Sequence, residues 1–199
     1  FRRVLFRSED QRDLHQLGRL DDDEAEVDPA LGAHADMVTA NAVFRWLHLF
    51  FGVTWIGLLY YFNFVQIPSM PKIPDDQKPA IGKVIAPTAL YFFRWAAAGT
   101  IAFGLITAGH NQMLVEALTF QPGFRTIGIG MWLALIMAFN VWFVIWPNQQ
   151  KALNIDNKYP NLEASAKAAA GKTAMLFSRT NTFLSVPMLV AMTGASTLF

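Results

Sequence analysis

A long apolar segment, residues 43–66, constrains this chain more than any other feature of its sequence. It reads VFRWLHLFFGVTWIGLLYYFNFVQ, and its only formal charge belongs to Arg45 near its start. At about 1.5 Å per residue, a helix of this length crosses the hydrocarbon core of a bilayer. We therefore expect residues 43–66 to form a membrane-spanning helix.

His48 lies inside this apolar segment. An ionisable side chain at that depth loses hydration that lipid cannot replace, so it is by default a functional-site hypothesis. Helical periodicity places it on a stripe that also carries a glycine and large aromatic residues. The stripe comprises His48, Gly52, Trp55, Leu59 and Gln66, with Phe51 and Phe62 at its flanks. Such a surface suits either a flat aromatic ligand held on the imidazole or close packing against a helix that hydrogen-bonds His48.

The composition is typical of a small membrane bundle. Of 199 residues, 53% are hydrophobic and only 16% are charged, and the net charge is +1. The cations are scattered among loops, so we expect no nucleic-acid binding. The chain has no cysteine, which excludes disulfides, thiolate metal sites, iron–sulfur clusters and covalently attached c-type haem.

Three further apolar segments complete a predicted bundle of four spans. With the first segment, the expected spans cover residues 43–66, 88–108, 126–146 and 180–199. The third is followed by Pro147, which we expect to end the helix. Alanine is the strongest helix former, so residues 161–175 should be helical and continue into the fourth span. The predicted fold class is all-α, an integral membrane four-helix bundle.

The segments outside the spans are polar or rich in proline. Residues 67–87 contain prolines at five positions, which should prevent continuous helix in this loop. Residues 1–42 are polar and irregular, and we expect a disordered or non-native tail outside a membrane domain of residues 43–199. The opening FRRVLFRS resembles translated sequencing adapter, which makes Met37 a candidate native start.

Loop charge predicts the orientation of the bundle. Lysines and Arg179 are concentrated in the segments after the first and third spans, whereas the connector after the second span carries only Arg125. By the positive-inside rule, the lysine-rich loops are cytoplasmic. Both termini then face the periplasm of a bacterial inner membrane.

In this topology, the outer half of the bundle gathers potential ligands. They are His48, His110, Met131 and Met192. Histidine and methionine at matched depth suit haem b, because helix bundles build cofactor sites from facing side chains. We predict His48 as the metal ligand, with Met131, Gly52 and Trp55 as further cofactor contacts. Each methionine also suits the role of flexible core filler.

The inner half gathers a polar set, predicted as a substrate site or polar cluster. Its members are Asn63, Arg94, Asn140, Arg179, Asn181 and Ser185. Arg94 is close enough to the cytoplasmic end to reach lipid phosphates. Asn140 needs a hydrogen-bond partner on a neighbouring helix or on a ligand, and both alternatives stay open. The absence of a nucleotide loop, a paired-carboxylate site and a nucleophile elbow argues against a hydrolase.

Three blocks of sequence resemble the membrane domain of the urate hydroxylase PuuD family. They are RWLH to WIG, NVW to WPNQ and RTN to SVPM, within residues 45–57, 140–149 and 179–188. The resemblance implies a membrane-bound oxidase or dehydrogenase domain in which urate, or a related reduced substrate, gives electrons to a cytochrome. Full-length family members end in a c-type cytochrome domain, for which this chain has no cysteine, and Thr180 stands where the family has a histidine. The resemblance therefore implies a short relative that uses a separate cytochrome or quinone.

Our leading hypothesis is a membrane redox protein that binds haem b through His48 and passes electrons from a small reduced substrate to a cytochrome or quinone. One alternative is a non-catalytic membrane subunit that anchors a redox partner, with His48 and Asn140 as interhelical hydrogen-bond groups. Another is a copper-handling protein that uses His48, Met131 and Met192 as soft ligands. The first block also resembles CopD-type copper proteins and HemJ protoporphyrinogen oxidases. All alternatives place the chain in a lipid bilayer and leave homo-oligomerisation open.

Overall fold

The computed structural model describes residues 29–197. The chain divides between Ala40 and Asn41 into two units. The described part of the first unit is helical, and Thr39 donates a hydrogen bond to the carbonyl oxygen of Ala35 at 2.9 Å. The first 28 residues of the predicted tail lie outside the described residues, whereas the rest of it, residues 29–42, is helix.

Five helices account for most of the described residues, and none of the described residues forms a strand. The all-α prediction is therefore confirmed. In chain order the helices are α1 (Pro29–Tyr60, continued by Tyr61–Gln66, Ile67–Ser69 and Met70–Lys72), α2 (Lys78–Ala80, Ile81–Ile85 and Ala86–His110), α3 (Leu114–Leu118), α4 (Arg125–Phe139, Asn140–Ile145 and Trp146–Leu153) and α5 (Ala164–Thr197), with a 3-10 turn at Ile155–Asn157.

Three of these helices are long and apolar enough to cross a membrane. They cover Gly32–Lys72, Lys78–His110 and Arg125–Leu153. Their outer surfaces expose large apolar side chains such as Trp46, Val53 and Phe143, as is typical of helices that contact lipid. The fourth helix of comparable length, α5, has 34 residues and carries Lys167, Lys172 and Arg179 in its first half. As predicted, its alanine-rich beginning is continuous with the apolar residues that follow.

Each of the three apolar helices contains a π-helical segment directly before a proline. The segments are Tyr61–Gln66, Ile81–Ile85 and Asn140–Ile145, and the prolines are Pro68, Pro87 and Pro147. Proline lacks an N–H donor, and in a regular α-helix its ring clashes with the carbonyl group four residues earlier. A wider π-helical turn inserts one residue at this point, which gives the ring room and lets the helix continue.

The expectation that Pro147 ends its helix is wrong, because the third apolar helix continues through Pro147 to Leu153. The five prolines of segment 67–87 do prevent a continuous helix, since residues 73–77 are not helical. Most of this segment is nevertheless helix rather than loop, because α1 extends to Lys72 and α2 begins at Lys78. Pro79 occupies the first turn of α2, where the missing N–H has no intrahelical partner to lose.

Neighbouring helices in the second unit run antiparallel and share one core. Phe62 of α1 meets Phe93 of α2 edge to face, with 5.7 Å between ring centroids. On the other side, residues near Gly130 of α4 lie against Ala191 and Met192 of α5. Side chains from these helices fill the centre, and the largest fully buried ones are Trp55, Leu59, Phe93, Met137 and Val141. The short helix α3 packs on α4, where the buried Gly128 lies under the backbone of Ala117.

Candidate functional site

The ring of His48 lies between α1 and α2. Its Nδ1 is 2.8 Å from the carbonyl oxygen of Thr100 on α2. A carbonyl oxygen can only accept a hydrogen bond, so Nδ1 carries the proton and donates it. In the neutral ring, Nε2 then keeps its lone pair. Within the described residues, Nε2 has no hydrogen-bond partner.

Two glycines of α2 determine how closely this helix approaches α1. A Cβ atom built on Gly104 would lie 2.8 Å from Nδ1 and Cε1 of His48. A Cβ atom built on Gly99 would lie 2.6 Å from the ring of Phe51, which itself stacks on Phe103. Only glycine allows both rings to lie against the backbone of α2 in this way. The position of the imidazole is thus set by Gly104 beneath it and by the hydrogen bond to Thr100.

The other residues predicted as cofactor contacts lie in different surroundings. Gly52 faces the methyl group of Thr100, and Trp55 is fully buried, with its Nε1 lacking a partner among the described residues. Met131 is buried in a separate cluster with Ala108 and Ala117, against which Met192 also packs. The structure therefore brings His48 and Gly52 together at the α1–α2 contact and places Met131 in a separate cluster.

A polar face of α5 meets polar side chains from two other helices. Ser178, Asn181 and Ser185 are spaced so that they share one side of α5, and all three are buried. Their partners define what we call the polar seam: Asn63 Nδ2 donates to Ser178 Oγ at 2.8 Å, Asn140 Nδ2 donates to Asn181 Oδ1 at 2.9 Å, and the Tyr60 and Ser185 hydroxyls share a hydrogen bond of 2.9 Å. Asn140 thus finds its partner on a neighbouring helix.

Two buried acceptors of α1, one of them in the polar seam, have no hydrogen-bond partner among the described residues. Asn63 and Gln66 both lie in the π-helical segment of α1. Asn63 Oδ1 and Gln66 Oε1 are buried, and the described residues offer neither atom a hydrogen bond. A buried acceptor without a partner costs about 1–3 kcal/mol. These two oxygens are therefore places where an N–H or O–H group of a water or ligand would be stabilised.

Aromatic rings hold the guanidinium group of Arg94. Its Cζ lies 3.8 Å from the ring centroid of Trp146, 5.5 Å from that of Tyr91 and 6.0 Å from that of Trp142. Trp142 also donates from Nε1 to the carbonyl oxygen of Arg94 at 3.1 Å. Among the described residues, no carboxylate forms an ion pair with Arg94, and its buried Nε has no acceptor. The cation is thus balanced by ring faces rather than by an anion.

A cavity of about 310 Å³ opens beside this arginine. We call it the Arg94 cavity, and it is lined by Pro87, Thr88, Tyr91, Arg94, Trp146, Ile155 and Asp156. It lies where residues 87–94 of α2 meet the turn that follows α4. In that turn, Asn154, Asp156 and Asn157 all adopt left-handed backbone conformations, with φ of 48°, 55° and 54°.

Sequence reasoning identified some of these residues and missed others. Arg179 was predicted in the polar set, but it is exposed on α5, whereas the neighbouring Ser178 is buried in the polar seam. The spacing of Ser178 from Asn181 and Ser185 is the signal that would have included it. Trp146 was also missed, although it follows Trp142 by one helical turn on the same face.

Comparison with known proteins assigns the chain to a family. The urate oxidase N-terminal family matches residues 97–196, half of the chain. The chain belongs to this family. The resemblance drawn from the sequence is thereby confirmed, and Asn140, Trp146 and Asn181 lie within the matched residues, whereas His48 and Arg94 precede them. No curated protein and no solved structure matches the chain.

Proposed function

We propose that this member of the urate oxidase N-terminal family is a membrane redox protein. It binds haem b through His48 and passes electrons from a small reduced substrate, urate or a related compound, to a separate cytochrome or quinone. The family match supports the urate-related role. The observation that carries the haem assignment is the hydrogen bond between His48 Nδ1 and the carbonyl oxygen of Thr100.

The residues around His48 fit a histidine that would hold a haem iron. A histidine that binds a metal usually donates its other ring N–H to a carbonyl or carboxylate, which fixes the tautomer and the ring orientation. Thr100 supplies that acceptor, and Gly104 provides the space in which the ring is held. His48 Nε2 would hold the iron. When bound, the haem supplies one-electron transfer. Met131 stays a predicted cofactor contact.

The surrounding helices would keep the site apart from water. The proposed bundle consists of α1, α2, α4 and α5 as four spans, with both termini on the periplasmic side of a bacterial inner membrane. The exposed apolar surfaces of α1, α2 and α4 support the first three spans. Residues 180–197 of α5 are mainly apolar and lie against α4, which supports the fourth. The lysines near the junction of α1 with α2 and near the junction of α4 with α5 support the orientation; they are Lys72, Lys78 and Lys83 at the first and Lys151, Lys158, Lys167 and Lys172 at the second.

The experiment that tests the haem assignment is a reduced-minus-oxidised absorption spectrum of the purified protein. We expect a b-type spectrum from the unaltered chain, produced with adequate haem supply, and its loss in His48→Ala. His34→Ala removes an exposed histidine near the start of α1 and serves as the matched control. A spectrum without a Soret band in the unaltered chain would refute haem binding.

The same geometry also favours a second function, that of a non-catalytic membrane subunit that anchors a redox partner. In this case the His48–Thr100 and Asn140–Asn181 hydrogen bonds serve only to hold helices together. His48→Ala would then lower stability or assembly, and neither protein would show a haem spectrum. The copper-handling alternative is not proposed, because Met131 packs with Ala108 and Ala117 while His48 contacts Thr100 and Gly104.

A further inference from the structure

The Arg94 cavity presents a cation whose hydrogen-bonding capacity is unused. A guanidinium group carries five N–H donors in a fixed plane. Among the described residues the guanidinium group of Arg94 makes no hydrogen bond, and its Nε is buried without an acceptor. A partly buried guanidinium group gains most from an anion that accepts two parallel hydrogen bonds. The cavity therefore favours an oxyanion over a neutral or cationic ligand.

The walls of the cavity indicate that the anion is flat. The ring centroid of Trp146 lies 3.8 Å from Cζ of Arg94, so this ring shields one face of the guanidinium group and leaves its edge for hydrogen bonds to a ligand. Tyr91 and Pro87 add broad apolar surfaces next to this edge. A conjugated ring can contact such surfaces while its oxygen atoms accept from the guanidinium edge. The volume of about 310 Å³ falls within the range of small-molecule sites.

Asp156 indicates that the ligand also carries donors. Asp156 lines the cavity without forming an ion pair with Arg94, and its backbone is held at a φ of 55°. Left-handed conformations of residues other than glycine are strained and concentrate at ligand sites. A carboxylate would repel a phosphate group, but it would accept hydrogen bonds from ring N–H groups.

We propose that the Arg94 cavity binds an oxidised purine such as urate, with the anionic oxygen edge on Arg94 and ring N–H groups directed to Asp156. A urate-type heterocycle combines a planar ring, an anionic edge and N–H donors. The inference rests on the proposed function, that the chain acts on urate or a related compound. It adds the location of the substrate and the residues that select it.

The test is equilibrium binding of radiolabelled urate to the full chain in phosphatidylcholine nanodiscs. We expect Arg94→Gln to weaken binding by about tenfold or more, because a hydrogen bond to a charged group is worth at least that factor. Arg94→Lys keeps the charge but loses the planar fork, so it should weaken binding as well. Lys83→Gln removes an exposed cation from the same helix, outside the cavity, and should bind urate like the unaltered chain.

Two further arms keep the proposal testable if Arg94→Gln fails to fold. Asp156→Ala removes a carboxylate of a cavity-lining residue and should weaken urate binding by about tenfold, through the loss of one charged hydrogen bond. Hypoxanthine, an uncharged purine at neutral pH, should compete poorly with urate for the unaltered chain. Equal binding of urate by the unaltered chain and the Arg94 variants, or no binding by the unaltered chain, would overturn the proposal.

A lipid phosphate is the other oxyanion that could reach Arg94. Native mass spectrometry after exchange into phosphatidylglycerol distinguishes the two sources. Loss of bound phosphatidylglycerol in Arg94→Gln, with urate binding unchanged, would identify a lipid site and overturn the purine assignment.

Urate binding is measured without electron transfer, so the haem spectrum is judged separately. If the protein shows a b-type spectrum but binds urate equally well without Arg94, only the assignment of urate to the Arg94 cavity is refuted. If urate binding depends on Arg94 but no haem spectrum is seen, only the haem assignment is refuted.

Discussion

The side-chain amide of Asn140 on α4 donates to Oδ1 of Asn181 on α5 across 2.9 Å, and the amide of Asn181 donates to the carbonyl oxygen of Met137, also at 2.9 Å. Asn181 is fully buried, and Asn140 is nearly so. Because apolar side chains surround this pair, any other register between α4 and α5 would leave polar groups unpaired. The pair therefore specifies how the two helices meet.

Asn181→Ala should destabilise the protein by removing both hydrogen bonds of its amide. We expect the free energy of unfolding to fall by about 0.6 to 3 kcal/mol. The lower limit is the average for interhelical hydrogen bonds in a membrane protein, and the upper limit is the cost of an unpaired buried group. Reversible unfolding in mixed micelles measures the loss. Asn161→Ala, at an exposed position before α5, is the matched control. Equal stability of the two variants would contradict the role of the pair.

Gly104→Ala should disturb His48 without altering its chemistry. The added Cβ would lie 2.8 Å from the imidazole, so the ring must move and its hydrogen bond to Thr100 must lengthen. We expect a loss of stability of about 1–3 kcal/mol, typical of overpacking. If haem is bound, its absorption bands should also shift.

Gly57→Ala on α1 is the matched control for this substitution. No atom lies within 4 Å of a Cβ built there. Alanine favours helix by about 0.8–1.0 kcal/mol over glycine, so this variant should be at least as stable as the unaltered chain. Equal unfolding free energies for the two alanine variants would show that the contact between His48 and Gly104 is unimportant.

The sequence predicted the all-α class and the position of three long apolar helices, but not how these helices continue through proline. Apolar runs indicate long helices of this kind because each run must be buried or face lipid, whatever surrounds it. The continuation through Pro147 depends on the π-helical segment Asn140–Ile145, which a proline-based rule does not anticipate. A helix boundary taken from proline alone is therefore wrong here.

The sequence predicted several residues of the candidate site but not the contacts that they make. His48 and Asn140 are conspicuous in the sequence because a polar side chain in an apolar run needs a partner. Their partners, Thr100 and Asn181, are fixed by which helices become neighbours, and a single sequence does not contain that information. Arg94 was treated as an arginine that reaches lipid, because two of its three aromatic neighbours, Trp142 and Trp146, come from another helix.

The proposed topology predicts which loops are accessible from each side of the membrane. The chain has no cysteine, so each introduced cysteine is unique. In intact spheroplasts, a membrane-impermeant maleimide should label Gln121→Cys, between α3 and α4. It should label Lys158→Cys, between α4 and α5, only after permeabilisation. Both positions are exposed, so the contrast depends on the side of the membrane.

The fourth span needs its own measurement. If α5 crosses the membrane, alkaline phosphatase fused after the last residue should be active, because this enzyme folds only in the periplasm. An inactive fusion, together with the predicted labelling of the two cysteine variants, would show that α5 does not cross the membrane and that both of its ends lie on the cytoplasmic side. The opposite labelling pattern would contradict the orientation derived from loop charge.

The turn between α1 and α2 contains an ion pair whose effect on pH dependence has a definite sign. Lys78 Nζ donates to Asp75 Oδ1 at 2.6 Å, and this hydrogen bond, followed by the positive charge, lowers the pKa of Asp75 below its ordinary value. A lowered pKa in the folded state means that the stabilisation is present above the unfolded pKa and is lost as pH falls through the folded pKa.

Lys78→Gln should raise the pKa of Asp75 towards its ordinary value, as measured by NMR titration in micelles. Lys72→Gln, at an exposed position before the same turn, should leave that pKa unchanged, and salt should weaken the effect because Asp75 is fully exposed to solvent. A pKa of Asp75 that stays low in Lys78→Gln would contradict this account of the turn.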